Sequence, residues 1–241
     1  MSSLIARLKR VEDPAVRAVL LRARGALHYA ARGHFARRRA VERYLASTNE
    51  PRLQIGAGPS TLPGWLDSDL IGGDIYVDLA RRLPFPDGTF AYVFGEHVIE
   101  HLPEQTGSAL LGEVHRIVRP GGVVRLTTPD LQKIIALYED RNPVVSRADY
   151  AAFLDRETGK RHERACQILN DYLRLWGHRY VYDEEDLRAK LEAAGFREVE
   201  RREPGESEHR ALRGLERHGG EAWVNAAEAM CLEATKARGE T

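Results

Sequence analysis

The sequence is short of several things, and each absence excludes something. It holds two cysteines in 241 residues, Cys166 and Cys231. That is too few for a disulfide framework, and they lack the paired spacing of a zinc ligand set. A reducing, cytoplasmic setting is the expectation. No apolar run approaches the ~18 residues of a membrane-spanning helix. The stretch from Ile5 to Leu21 is interrupted by Arg7, Lys9, Arg10, Glu12, Asp13 and Arg17, so no signal peptide is expected either. Net charge is also missing: 36 Lys and Arg balance 36 Asp and Glu, unlike a dedicated nucleic-acid binder. Lysine is scarce, 5 against 31 arginines, a bias that fits a GC-rich bacterial genome and says nothing of substrate. There is no internal repeat and no low-complexity tract.

What is present describes a globular protein. Hydrophobic residues make up 43% of the chain and charged residues 30%, enough to bury a sizeable core. The charge is unevenly spread. Residues 1–50 carry 11 Lys and Arg against 4 Asp and Glu, and the remainder is acidic by the same margin. Apolar residues at Leu4, Ile5, Leu8, Val11, Val16, Val19 and Leu20 have helical spacing, with Pro14 as a break, and a second helical stretch runs over about 26–46. This basic extension reads as a helical cap on the domain that follows, in preference to a membrane-surface helix. A contact with the partner in a homodimer is the other role open to it.

From residue 52 onward, short apolar runs end in glycine or an acid. Leu53–Ile55 runs into Gly56-Ala57-Gly58; Trp65–Asp69 and Ile75–Asp78 each end in an acid. Ala91–Phe94 leads into Glu96-His97, and Val123–Thr128 into Pro129-Asp130. A helix is expected over Thr106–Val118, stopped by Pro120-Gly121-Gly122, and another from Asp183 to Gly195. Phe196–Glu200 and Met230–Lys236 supply two more strands. The pattern is α/β: a doubly wound, Rossmann-like, seven-stranded, mostly parallel sheet. Residues 131–182, helical and charged, read as an insertion over its carboxyl edge, and polar, glycine-containing 203–220 as a mobile loop. Thus 1–50 is an extension and 51–241 the main domain. Ligands of such sheets bind outside the carboxyl ends of the strands.

Three chemistries compete for that edge. Dinucleotide binding needs a third glycine and an acid about 20 residues on; Pro59-Ser60-Thr61 follows Gly58, and Asp69 comes early. Zinc hydrolysis is suggested by His97-Val98-Ile99-Glu100-His101, a literal H-x-x-E-H. Yet that motif needs a sustained helix, and here a strand precedes it and Pro103 follows.

The third is methyl transfer. The chain resembles the class I S-adenosylmethionine-dependent methyltransferases over most of 52–236. The resemblance rests on Leu53-Gln54-Ile55-Gly56-Ala57-Gly58, Gly64-Trp65 with Asp69, Leu83 to Phe90 (LPFPDGTF), Glu96 to Leu102 (EHVIEHL), Arg119-Pro120-Gly121-Gly122, Thr128-Pro129-Asp130-Leu131 and Gly177-His178-Arg179. These blocks are most similar to a small subfamily of saccharide- and natural-product-modifying enzymes. The resemblance implies S-adenosylmethionine as cofactor, held by Gly56 and Gly58 under its methionine part, Asp69 on the ribose, Asp78 and Leu79 at the adenine, and Glu96 and His97 near the sulfonium. Gln54 stands where many relatives have an acid. The implied acceptor is a sugar hydroxyl, which needs a general base or a metal. His178 is the first candidate base, His97 the second; Asp130 is a candidate base or magnesium ligand, although no carboxylate cluster marks a magnesium site. Tyr172, Trp176, Tyr180 and Tyr182 suit stacking on a sugar and equally suit a core. The non-catalytic alternative is a cofactor-binding scaffold.

Overall fold

A computed structural model describes residues 20, 23, 34–218, 220 and 222–238. The first helical stretch expected in the extension, and the start of the second, lie outside the described residues. What is described of it is helix α1 (His34–Ala46). Ala40, Val41, Tyr44 and Leu45 pack it onto the main core. The Tyr44 hydroxyl accepts from the Arg52 amide at 2.8 Å, and its single proton is shared between the carbonyls of Arg52 and Gly64 at 2.8 and 3.0 Å.

The strands are β1 (Arg52–Ile55), β2 (Leu66–Asp69), β3 (Ile75–Tyr76), β4 (Phe90–Glu96), β5 (Val118–Pro129), β6 (Phe196–Arg202) and β7 (Ala229–Lys236). They form one sheet in the order β3-β2-β1-β4-β5-β7-β6. Pairs from β3 to β5 are parallel, whereas β7 runs antiparallel to both β5 and β6. The mostly parallel α/β sheet of seven strands is therefore present. β5 begins earlier than expected: Arg119-Pro120-Gly121-Gly122 is already extended, with an irregularity between Phe90 and Tyr92 where it joins β4. Helix α2 (Glu104–Ile117) ends before the proline.

One face of the sheet is closed by α2 and α6 (Glu184–Ala193), which bury Leu110, Leu111, Val114, Ile117, Leu187 and Leu191 against Leu53, Ile55, Val93, Leu126 and Leu232. Between α2 and α6 the insertion holds α3 (Leu131–Tyr138), α4 (Arg147–Thr158) and α5 (Ala165–Arg174). These helices share a separate core of Ile134, Leu137, Tyr150, Phe153, Leu154, Ile168 and Tyr172, joined by Val224 of α7 (Ala222–Glu228).

The opposite face corrects the reading of 203–220 as a mobile loop. No helix forms between β1 and β2 among the described residues, which leaves apolar sheet uncovered. Leu212 and Leu215 fill it, packing with Leu62, Trp65, Phe94 and Val123. The same segment is tied down by a buried charge. Arg125, inward-facing on β5 and 0% exposed, donates through Nε to Glu216 and through Nη1 to Glu233, both at 2.6 Å, and to the Glu206 carbonyl at 2.8 Å. A polar segment is ordered here because its carboxylates have a buried guanidinium to meet.

Candidate functional site

The carboxyl ends of β1, β2, β4 and β5 share one edge, and the residues singled out in the sequence gather there. Gly56 and Gly58 follow β1 with φ of 65° and 55°, conformations that favour glycine. A Cβ on Gly56 would stand 2.4 Å from Val98 Cγ2; one on Gly58 would point into open space. The Gly58 amide donates to Asp69 Oδ2 at 3.0 Å, while Asp69 Oδ1 accepts from the amides of Ile71 and Gly72. Asp69 thus organises both the glycine loop and its own turn, and Oδ2 retains acceptor capacity. Asp78 accepts from the Ala80 amide and pairs with Arg81 at 3.2 Å; Leu79 packs against the main core. Gln54, 4% exposed, has a buried Oε1 with no hydrogen-bond partner.

Asp67, facing the loop after β1, was not singled out by sequence. The Leu62 amide donates to both of its oxygens, at 3.3 and 3.2 Å. Burial pushes its pKa up to about 6; that amide opposes the rise and the charge of Asp74 adds to it. An acid with a raised native pKa binds its proton more tightly when folded. Its contribution is therefore complete below the unfolded value near 4 and lost as pH rises through about 6. Asp67→Asn is expected to be more stable than the parent at pH 8 by about 1–3 kcal/mol, the advantage vanishing at pH ~4. Urea midpoints across that range check it; parallel midpoints at every pH would remove Asp67 as the cause.

At the end of β4, Glu96 Oε1 accepts from the amides of Arg217 and His218 at 2.7 and 2.9 Å, fastening the β6–β7 connection over the strand end. His97 follows in a left-handed conformation, φ 48°, a backbone outlier of the kind that clusters at functional sites. Its Nδ1 lies 3.1 Å from Glu100 Oε1, its ring stacks on His218 at 3.6 Å, and its Nε2 is buried without a partner. Burial pulls the imidazole pKa down, but Glu100, Glu228 and Glu96 outweigh it and hold it above the ordinary value. Only Ile99–His101 turns helically, as a single 3-10 turn, so the sustained helix required by the H-x-x-E-H zinc arrangement is not there. Glu100 is 0% exposed. Burial would raise its pKa, yet the imidazoles of His97, His101 and His178 hold it below the usual carboxylate range.

His178 stands beside Glu100 and His101. Its Nδ1 lies 2.7 Å from the Tyr172 carbonyl, and its ring centre 5.2 Å from that of His101. Burial brings its pKa down to about 4, against the pull of Glu100. Asp130 is committed elsewhere. Its Oδ1 caps α3 through the amides of Gln132 and Lys133, and its Oδ2 pairs with Arg201 at 2.8 Å. Of the four aromatics, Tyr172 and Tyr182 are core residues, whereas Trp176 is 42% exposed. Sequence reasoning missed Arg125, Glu216 and His218, whose partners lie far away in the chain.

A glycine-lined strand end flanked by acids at the next two strands defines a doubly wound fold of the kind that binds a nucleoside-containing cofactor. A family model described as a methyltransferase domain matches residues 18–201, and the chain belongs to that family. A search of curated proteins gives no match. Among solved structures, a SAM-dependent methyltransferase from Thermotoga maritima, a possible histamine N-methyltransferase, is 15% identical. It aligns over 90% of this chain and 98% of that one, with a TM-score of 0.47. A SAM dependent methyltransferase from Archaeoglobus fulgidus is 18% identical over 83% and 92% of the two chains, TM-score 0.46. The phosphoethanolamine N-methyltransferase 2 of Haemonchus contortus, solved with S-adenosyl-L-methionine, is 14% identical over 86% and 53%, TM-score 0.47. This chain spans about half the length of that protein.

Proposed function

We propose that the protein is an S-adenosylmethionine-dependent methyltransferase acting on a hydroxyl, with a sugar or oligosaccharide as acceptor. Membership of the methyltransferase-domain family supports the reaction class. The observation that carries the cofactor is the edge itself: two left-handed glycines, open space at Gly58, Asp69 anchored at the tip of β2, and the unpartnered Gln54 Oε1. These fit the cofactor. Gly56 and Gly58 would pass under its methionine part and Gln54 would take its amino group. The remaining acceptor capacity of Asp69 suits ribose hydroxyls, and Asp78 with Leu79 would flank the adenine. The cofactor supplies an electrophilic methyl group, so the protein mainly positions the acceptor and handles its proton.

The insertion and the β6–β7 connection would form the acceptor wall, with Trp176 exposed for stacking. Among the named bases, His178 has its Nδ1 turned to a backbone carbonyl, which accepts only; its Nε2 therefore carries the lone pair. His97 lies at the end of β4, its Nδ1 turned to Glu100. Asp130, held by the helix cap and Arg201, is left with positioning. The basic 1–50 arm as a dimer contact belongs to the same proposal.

A melting-temperature scan tests the reading. S-adenosylmethionine or S-adenosylhomocysteine at 100 times its dissociation constant is expected to add about 2.7 kcal/mol to the native state, and NAD nothing. Formation of S-adenosylhomocysteine in the presence of mono- and oligosaccharides then tests the acceptor. No shift with either adenosyl compound would sink the proposal.

A further inference from the structure

The H-x-x-E-H stretch does not make a helical zinc motif, but the fold brings parts of it to a third histidine. We infer that Glu100, His101 and His178 form a binding site for a divalent transition-metal ion, such as Mn²⁺ or Zn²⁺. Each offers one ligand atom, and the three lie within 4.8 Å of one another. The geometry is preformed by the backbone. The Glu100 carbonyl accepts from the amides of Arg179 at 2.7 Å and Tyr180 at 3.2 Å, so the chain carrying His178 is stitched to the turn carrying the other two.

The outer contacts are those a metal site needs. His178 Nδ1–H is taken by the Tyr172 carbonyl, which leaves Nε2 as a free lone pair. Glu100 Oε2 accepts from Thr128 Oγ1 at 3.0 Å, and Oε1 faces His97, which fixes the carboxylate in place. The rings of His101 and His178 are inclined at 60° rather than stacked, so their nitrogens can converge on one point. A fully buried carboxylate is costly unless paired or metal-bound, and its partners in this site are imidazoles.

The donor set decides the kind of ion. Two imidazoles and one carboxylate suit manganese, iron, cobalt or zinc, whereas magnesium prefers oxygen ligands and water. The site lies beside the ends of β4 and β5, and His178 belongs to the insertion proposed above as part of the acceptor wall. Resting on that methyltransferase reading, an open coordination position would take the acceptor's hydroxyl oxygen and lower its pKa. That lone pair of His178 then ligates the ion, so the hydroxyl proton passes to His97, the second candidate base, or to solvent. A neighbouring group, His97, His218 and Glu228, also lies within 4.8 Å. Its two imidazoles are stacked face to face, however, so their nitrogens do not converge on one point as those of the inclined His101 and His178 rings can.

The test is metal retention by the chelator-stripped full chain after loading with Mn²⁺, Zn²⁺, Co²⁺ or Mg²⁺ and gel filtration, read by elemental analysis and by the visible spectrum of the Co²⁺ form. About one equivalent of a transition metal and no retained Mg²⁺ are expected. His178→Ala and His101→Ala should each weaken binding at least ~100-fold, and His218→Ala should leave it unchanged. S-adenosylhomocysteine binding, followed by melting temperature in the same samples, reports folding and the cofactor half separately. Stripped and loaded protein that binds the adenosyl compound yet retains no metal overturns the site and leaves the methyltransferase reading standing. Metal kept by His178→Ala but lost by His218→Ala overturns it in favour of the other histidine group.

Discussion

Replacing Arg125 by methionine is expected to cost about 3–5 kcal/mol of stability, because it leaves the buried carboxylate of Glu216 without a counter-charge and that of Glu233 with only Arg202 at 3.6 Å. Arg125 is fully buried, and its partners Glu216 and Glu233 have side chains only 3% and 5% exposed. Such a pair need not be a net gain over an apolar core of the same shape, but half of it is worse than none. The loss also reaches beyond β5. Glu216 accepts from the Gly205 amide at 2.8 Å and from Thr127 at 3.2 Å, so the segment carrying Leu212 and Leu215 loosens with it. For a chain of this size the melting temperature should fall by about 6–20 °C. Adding Glu216→Gln and Glu233→Gln removes the stranded charges while keeping acceptor oxygens, and should restore at least half of the loss. Urea denaturation of the single and triple variants decides it; a single variant within ~1 kcal/mol of the parent would show that water reaches the charges.

Asp69→Ala should raise the dissociation constant for S-adenosylhomocysteine at least ~100-fold. Hydrogen bonds to a charged group are worth about 1.5–3 kcal/mol each, and two ribose hydroxyls would lose theirs. The free protein also suffers, since the amides of Gly58, Ile71 and Gly72 lose their acceptor. Asp69→Asn separates the two effects. It keeps one acceptor oxygen but brings a carboxamide NH2, a donor, to the other position, where the Gly58 amide also donates. Titration calorimetry on both variants, with a melting scan for the free state, measures the split. Affinity unchanged in a folded Asp69→Ala protein would remove Asp69 from the cofactor site.

The sheet was legible because parallel strands are short apolar runs that end abruptly, and the residues that end them sit at one edge by construction. Gly56, Gly58, Asp69, Asp78, Glu96 and His97 fall at or just after such ends, so a linear reading places them along one edge. The limits of that reading are equally physical. Arg125 meets Glu216 and Glu233 across 91 and 108 residues, and nothing local marks a charge destined for burial. Segment 203–218 looks like a loop by composition, yet Leu212 and Leu215 pack on Phe94 of β4 and Val123 of β5, a face that no helix between β1 and β2 covers. Asp130 follows a strand exactly as a site acid would, but it also precedes a helix, and the cap takes it. Tyr172 and Trp176 are alike in sequence; only packing makes one core and the other surface.

The position of β7 carries a consequence for how the protein assembles. Among the described residues it is the last strand in sequence order, yet it lies between β5 and β6. A chain growing from its N-terminus therefore exposes the open edge of β5 until residues 229–236 are made. Through that interval β6 has no neighbour in the sheet and the guanidinium of Arg125 has no Glu233. Closure of the sheet, neutralisation of its interior and covering of the strand ends by the 203–228 connection are then a single late event. Ribosome-stalled chains ending before Ala229 should remain protease-sensitive after β4, while those that release Lys236 become resistant in one step.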